Sequence, residues 1–524
     1  MNNLERKDKI GHQDVPIGLP KQVKSLCPEC KKVIDAEIYE EDGKIWMKKT
    51  CDEHGDIKDL IYGDAKLYKK AEKWGFPDPE GIKKPNVEFH DNCPNDCGLC
   101  SNHLSYACLS NVDLTNRCNL RCPICFANSN VAGYVYEPSY EQVVEILKNL
   151  YNTNKPGVDL QAIQFTGGEP TIHPRFVDII KAAKDIGFAH IQVATNGILI
   201  GNSLEFAKKC KEAGLYTLYL QFDGLTDEVY KKTCGAPLLK VKKQAIENAR
   251  KVGIRVVFVP TVVRGVNNDQ VGDLFNFAME NSDVVTGVSY QPISFTGRYS
   301  EKERINQRYT LSDLAHDLEK QTNGIVKAYR DFYPLSITTP LSDFFKFFRK
   351  EKPINITCHT NCGLGTYVIV NFNEKPLKPV PLTEFIDVEG LTMDLYELNK
   401  KGGFKTFTQL KALNAMRKHF KKDKAPEGLT LVKFLKIFEG IGKGHVQEWK
   451  MVIIAGMHFQ DCYNYNLDRI KRCVIHYGAP NGRIYPFCTI NSGPFFRESI
   501  EKEFSIPLEE WKKKHGEDKL YKGD

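Results

Sequence analysis

The stretch LTNRCNLRCPICFANSN, residues 114–130, places three cysteines, Cys118, Cys122 and Cys125, at spacings of four and three. Three soft ligands on one short loop suit a four-iron cluster that leaves one iron open, and an open iron is a substrate position rather than an electron-transfer one. The spacing by itself also fits zinc, so the flanking sequence decides. Downstream, strand patterns over 161–166, 190–195, 216–222, 255–260 and 285–291 alternate with helix patterns over 174–186, 203–213, 239–252 and 269–280. Such alternation predicts an α/β fold with a parallel sheet, whose working residues collect at the strand C-terminal ends. Polar residues, glycine and proline stand at those ends: Gly167, Gly168, Glu169 and Pro170, then Thr195, Asn196 and Gly197, then Gln221, Asp223 and Gly224, then Gln291. Together they predict the rim of a pocket.

CNLRCPICFA followed by TGGEP, ATNG and LQFDG resembles the radical S-adenosylmethionine (SAM) superfamily over residues 109–295. The resemblance implies a partial (β/α)6 barrel in which Cys118, Cys122 and Cys125 bind a [4Fe-4S] cluster that chelates SAM. It further implies that Gly167, Gly168 and Glu169, with Pro170 completing the motif, contact the methionine amino group. Thr195, Asn196, Gln221 and the adjoining Asp223 would lie near the ribose or adenine.

Fourteen further cysteines remain, and in a chain whose start lacks an export signal they point to metal rather than to disulfides. Cys27, Cys30 and Cys51, with His54, flank a short hairpin that turns at an Asp-Gly pair, the layout of a zinc ribbon or rubredoxin-like site for one zinc or iron ion. Cys93, Cys97, Cys100 and Cys108 fall within sixteen positions and suit a second four-iron cluster, with a zinc knuckle as the alternative. Cys358 and Cys362, together with Cys473 and Cys488, lie on two distant glycine-rich segments and suit a third, with a structural zinc or unpaired core thiols as the alternative. Cys462 is a rival ligand there, and Cys210 and Cys234 receive no role. The cofactor set is then three [4Fe-4S] clusters, SAM and one mononuclear metal ion. The expected domains are a metal ribbon at 1–90, a cluster segment at 91–108, the barrel at 109–295, a helical segment at 296–357, a C-terminal cluster domain at 358–495 and a tail at 496–524.

With 524 residues and 41% apolar content, the chain is globular and too long for one core. Its net charge of +7 is spread over 73 basic and 66 acidic residues, which gives no footprint for nucleic acid. Charges in MNNLERKDKIGHQDV and the lack of any long apolar run predict a cytoplasmic protein. Two aromatic, basic stretches set Phe344, Phe345, Phe347 and Phe348, and then Leu431, Phe434, Leu435 and Phe438, at helical spacing, which suits either an ordinary core or peripheral contact with a membrane. Taken whole, CPEC, CPNDCGLC, CGLGTYVIV and KRCVIHYGAPNGRIYPFC resemble the archaeal tetraether synthases. That resemblance implies coupling of the terminal carbons of archaeal diether phospholipids, two SAM per bond, fed by an external electron donor. The alternatives are a radical methylase of a pterin-like molecule and, in another class, an iron-sulfur electron carrier or a zinc-bearing nucleic-acid binder.

Overall fold

The computed structural model describes residues 16–516 except 79–80, 83, 126, 128, 131, 154–160, 297–300, 346–354, 402–404, 441–447 and 494–495. Its first unit is the expected hairpin, extended into a four-stranded antiparallel meander: β1 (Lys21–Leu26), β2 (Val33–Glu41), β3 (Lys44–Cys51) and β4 (Gly55–Tyr62). Asp42 and Gly43 join β2 to β3 with φ of 52° and 69°, the left-handed pair that matches the twist of a tight hairpin. Ile38, Ile45, Met47 and Ile61 point inward from alternate positions and bury one face.

Six parallel strands follow in strict chain order: β5 (Leu109–Thr115), β6 (Ala162–Gly167), β7 (His190–Thr195), β8 (Thr217–Gln221), β9 (Arg255–Val259) and β10 (Val285–Pro292). Helices Phe176–Ile186, Leu204–Ala213, Leu239–Val252 and Val271–Glu280 connect them, close to the predicted spans. The first buries Phe176, Ile179, Ile180 and Ala183, one stripe at helical spacing, and stops at Gly187 with φ 119°. This is the curled α/β sheet expected of a partial barrel.

Strands beyond residue 357 extend that sheet on both sides, while the helices between 382 and 440 pack a second core with Ile369 and Trp449. β12 (Trp449–Met457) lies parallel beside β10 and carries β11 (Gly363–Asn371) antiparallel to it, while β13 (Ile475–Gly478) lies parallel beside β5 and carries β14 (Ile484–Pro486). Both edges of the six-stranded sheet are thereby covered, which removes unpaired backbone from the barrel rim. Of the two aromatic stretches, Phe434 is buried against Phe385 at 5.6 Å between ring centroids, and Leu431 and Leu435 pack on the same core. That face of the helix is therefore turned into the protein. The side chains of Phe344, Phe345, Phe347, Phe348 and Phe438 lie outside the described residues. Among the described residues no helix is long and apolar enough to cross a membrane.

A buried ionic cluster ties the pieces together. Arg308 donates to Asp59 of β4 at 2.5 Å and to Asp461 at 2.6 Å, and Arg304 also binds Asp59. All four side chains are within a few per cent of full burial. Asp461 also accepts from the Phe295 N–H at 3.0 Å, so one cluster joins the ribbon, the chain leaving β10 and the segment after β12.

Candidate active site and metal centres

The three-cysteine loop leaves the C-terminal end of β5 and lies across the mouth of the barrel. Cys118, Cys122 and Cys125 line a cavity of about 290 Å³ together with Gly167, Gly168, Glu169, Thr195, Asn196 and Gln221. Backbone N–H groups of Leu120 and Ser129 reach Cys118 Sγ and Cys125 Sγ, both at 3.4 Å, the arrangement that stabilises thiolate ligands. Burial pushes the Cys118 thiol up to about 12, so it ionises only when a metal takes the place of its proton. The donor set fits a four-iron cluster with one iron facing the cavity.

The two glycines of TGGEP allow a close approach. Gly167 has φ 129°, and a Cβ at either position would collide with the carbonyl oxygen of Thr115 or Arg117 on the cysteine loop. Gly168 N–H donates to Thr115 O at 2.7 Å and Glu169 N–H to Arg117 O at 2.9 Å, which stitches β6 to that loop. Gly168→Ala is expected to displace the loop at a cost of roughly 1–3 kcal/mol. Iron per chain after anaerobic reconstitution should fall below wild type, and a full complement of iron would contradict this.

Glu169 is buried, and its carboxylate oxygens are occupied by protein. They accept from Thr195 Oγ1 at 2.7 Å, from Asn196 N–H at 2.8 Å and from Thr171. Burial pushes its carboxyl up despite these hydrogen bonds. Its side chain thus joins the ends of β6 and β7. Asn196 Nδ2 donates to Asn119 Oδ1 on the cysteine loop at 2.6 Å. Pro170 opens a 3-10 turn capped by Glu169. Asp223 lies behind the cavity and accepts from Thr261 N–H at 2.9 Å, Thr233 Oγ1 at 2.9 Å and Gln221 Nε2 at 2.8 Å. Lys242 is fully buried on the other side of Gln221, donating to its backbone oxygen at 2.8 Å, and burial lowers its pKa.

In the ribbon, Cys27, Cys30, Cys51 and His54 bring one ligand atom each to within 4.8 Å of the others. Cys30 and Cys51 sulfurs are 3.8 Å apart, and His54 Nδ1 is 3.6 Å from Cys27 Sγ and 3.5 Å from Cys51 Sγ. A tetrahedron with metal-sulfur bonds of about 2.3 Å has edges of about 3.8 Å, so the four atoms already have the size of a closed structural site. His54, hydrogen-bonded to Cys51, draws that thiol down to about 6.

Three comparisons bear on this arrangement. The radical SAM superfamily model matches residues 112–278, and a model described as the HMPTM N-terminal zinc ribbon domain matches residues 19–63. Over 513 residues, 95% of this chain and 99% of the relative, the sequence is 44% identical to the 7,8-dihydro-6-hydroxymethylpterin dimethyltransferase of Methanocaldococcus jannaschii. The chain belongs to that relative's family, within the radical SAM superfamily. A GTP 3',8-cyclase of Limosilactobacillus fermentum is 27% identical over 230 residues, 43% of this chain and 64% of the relative. Among solved structures, Streptococcus suis SuiB bound to S-adenosylmethionine matches 43% of this chain and 46% of that chain, at 20% identity and a TM-score of 0.33.

The full-length match corrects one expectation. The resemblance to tetraether synthases implied coupling of lipid chain ends, whereas the relative that covers nearly the whole chain is named as a pterin dimethyltransferase. The cysteine patterns that carried the resemblance describe cofactor housing, which chemistries with different substrates share. The radical SAM reading stands, matched by the superfamily model over residues 112–278.

In this radical SAM enzyme the remaining metal-type thiols form two groups. Cys93, Cys97 and Cys100 stand together: burial, and then the neighbouring thiolates, push the Cys93 and Cys97 thiols up. Cys108 stands with the other group, because its N–H donates to Val474 O at 2.8 Å, beside Cys473, and its thiol faces Cys358. Cys362, Cys473 and Cys488 complete that set of five. The eight thiols thus divide three and five, where sequence spacing suggests four and four. Cys462 points elsewhere, donating to Ser492 O at 2.8 Å and accepting from Lys31 Nζ of the ribbon at 3.0 Å. Cys210 is a core residue. Cys234, with no role from sequence, hydrogen-bonds Cys122 behind the cluster loop. Arg469 and Arg497 also escape sequence reading, since a lone arginine in a helical segment has no signature until its neighbours are known.

Proposed function

We propose that this chain is a radical SAM methyltransferase of a reduced pterin, carrying three [4Fe-4S] clusters, one zinc ion and a dependence on an external one-electron donor. The 44% identity across almost the entire length of both proteins carries the reading of substrate and reaction. A cluster at Cys118, Cys122 and Cys125 would supply the electron that cleaves SAM. The chain's own part is to hold the thiol loop through Gly168, Glu169 and Asn196 and to shield the reacting carbon from water.

The auxiliary cluster at the five-thiol set is supported by Arg469. Its guanidinium is buried among Cys362, Cys473 and Cys488 and has no carboxylate ion pair among the described residues. A buried cation needs a compensating negative charge, and thiolate-ligated iron-sulfur clusters provide one. Zinc in the ribbon is supported by the Cys3His donor set and by the ribbon family's description.

The test is anaerobic incubation of the reconstituted protein with reductant, SAM and 7,8-dihydro-6-hydroxymethylpterin. Mass spectrometry should show 5'-deoxyadenosine and pterin heavier by one and then two methylene units. Formation of 5'-deoxyadenosine with no change in the pterin would keep the radical SAM class and reject this substrate.

A further inference from the structure

Two buried polar atoms of β5 face the barrel cavity with no hydrogen-bond partner among the described residues: Asn111 Nδ2 and Asp113 Oδ1. Asn111 is 0% and Asp113 8% exposed, and both line the cavity that holds the three cluster cysteines. Strand alternation places them on one face, while Val112 between them and Leu114 just beyond enter the hydrophobic core. A buried polar atom without a partner is costly, so a pair aimed into one cavity calls for a ligand.

The neighbours set what each atom offers. Asn111, Gln164 and Gln192 sit in register on β5, β6 and β7. His190 Nε2 meets Gln192 Oε1 at 3.1 Å, Gln192 Nε2 donates to Gln164 Oε1 at 2.6 Å, and Gln164 Nε2 donates to Asn111 Oδ1 at 3.1 Å. This ladder uses the carbonyl of Asn111 and leaves its amide hydrogens as the free end. On Asp113, Oδ2 accepts from Arg497 Nη1 at 2.5 Å, which leaves Oδ1 as a free acceptor. The cavity therefore presents a donor and, two residues along, a carboxylate acceptor. Its wall also carries Phe459, Phe487 and Tyr477, with the two Phe rings stacked at 4.0 Å and Tyr477 at 5.5 Å from Phe487, a surface suited to a flat ring.

We propose that Asn111 and Asp113 recognise the pyrimidinone edge of the pterin, Asn111 donating to the ring carbonyl oxygen O4 and Asp113 accepting from N3–H and the 2-amino group. This rests on the pterin reading above. The edge runs acceptor, donor, donor, and the protein answers with donor, then carboxylate. The assignment makes the 2-amino group a point of specificity. The corresponding lumazine, which carries a 2-oxo group instead, would set an oxygen lone pair against the Asp113 carboxylate.

The experiment is anaerobic calorimetry on the reconstituted full-length protein with three probes: 7,8-dihydro-6-hydroxymethylpterin, its 2-oxo (lumazine) counterpart, and SAM. Wild type should prefer the pterin over the lumazine by at least about tenfold. Asp113→Asn should weaken pterin binding by about ten- to a hundredfold and erase most of that preference. Asn111→Ala, which keeps the Asp113–Arg497 pair and serves if the first variant fails to fold, should weaken both ring ligands by about five- to tenfold and leave the preference intact. SAM affinity should stay within about twofold in both. Variants that bind pterin like wild type, or that lose SAM binding instead, would overturn the assignment while leaving the pterin reading in place. A wild-type enzyme that binds no pterin would overturn the functional reading and this assignment with it.

Discussion

Cys122→Ala is expected to reduce formation of 5'-deoxyadenosine from SAM to background, with loss of about four iron atoms per chain. Three thiolates on one loop are the minimum that holds a cube with one iron open, and two cannot retain it against solvent and chelators. Cys122 is also the cysteine that Cys234 hydrogen-bonds, so its position is fixed from behind as well as by the loop. Cys118→Ala and Cys125→Ala should behave alike, because the three ligands act as one unit. Cys210→Ala supplies the contrast: that thiol lies in the apolar core under the helix Leu204–Ala213, so 5'-deoxyadenosine formation and iron content should match wild type. Iron analysis and the electron-paramagnetic signal of the reduced protein read the cluster, and product chromatography reads 5'-deoxyadenosine. Persistent 5'-deoxyadenosine in Cys122→Ala would remove the cluster from this loop.

The second large effect is on stability. Arg308→Ala should destabilise the protein by about 3–5 kcal/mol, the usual cost of leaving buried charges without their partner. Asp59 would retain Arg304, but Asp461 would keep only hydrogen bonds, including the one from Phe295 N–H. Arg308→Lys keeps the charge and loses the two-armed geometry that serves Asp59 and Asp461 together, so it should fall between wild type and Arg308→Ala. Thermal unfolding followed by circular dichroism orders the three proteins, and a wild-type melting curve for Arg308→Ala would show the cluster to be energetically idle. The loss should reach the active site too. Asp461 anchors the segment that begins at Phe459, one wall of the cavity, so Arg308→Lys should raise the KM for the proposed pterin substrate before it lowers SAM cleavage.

What could be read from the chain alone was what short-range chemistry dictates. Metal ligands on one loop or knuckle lie close because the chain between them is short, which is why Cys118, Cys122 and Cys125 and the Cys27–His54 set were legible from spacing. Strand and helix periods follow from backbone geometry, so β6 to β10 and the helices between them fell within a few residues of their predicted ends. Which residues meet across the fold is a different question, and tertiary structure decided it. Cys108 joined Cys358 and Cys473 because β13 pairs with β5, a contact between segments more than 350 residues apart. The same pairing covers the β5 edge of the barrel with residues from near the other end of the chain. Asn111 and Asp113 read as ordinary polar residues in a strand until the curl of the sheet turned one of its faces into the wall of a cavity. Ligands on one loop or knuckle are local and leave a motif, whereas the five-thiol set and the cavity lined by Asn111 and Asp113 are assembled from distant segments, so their chemistry appears only when the chain has folded.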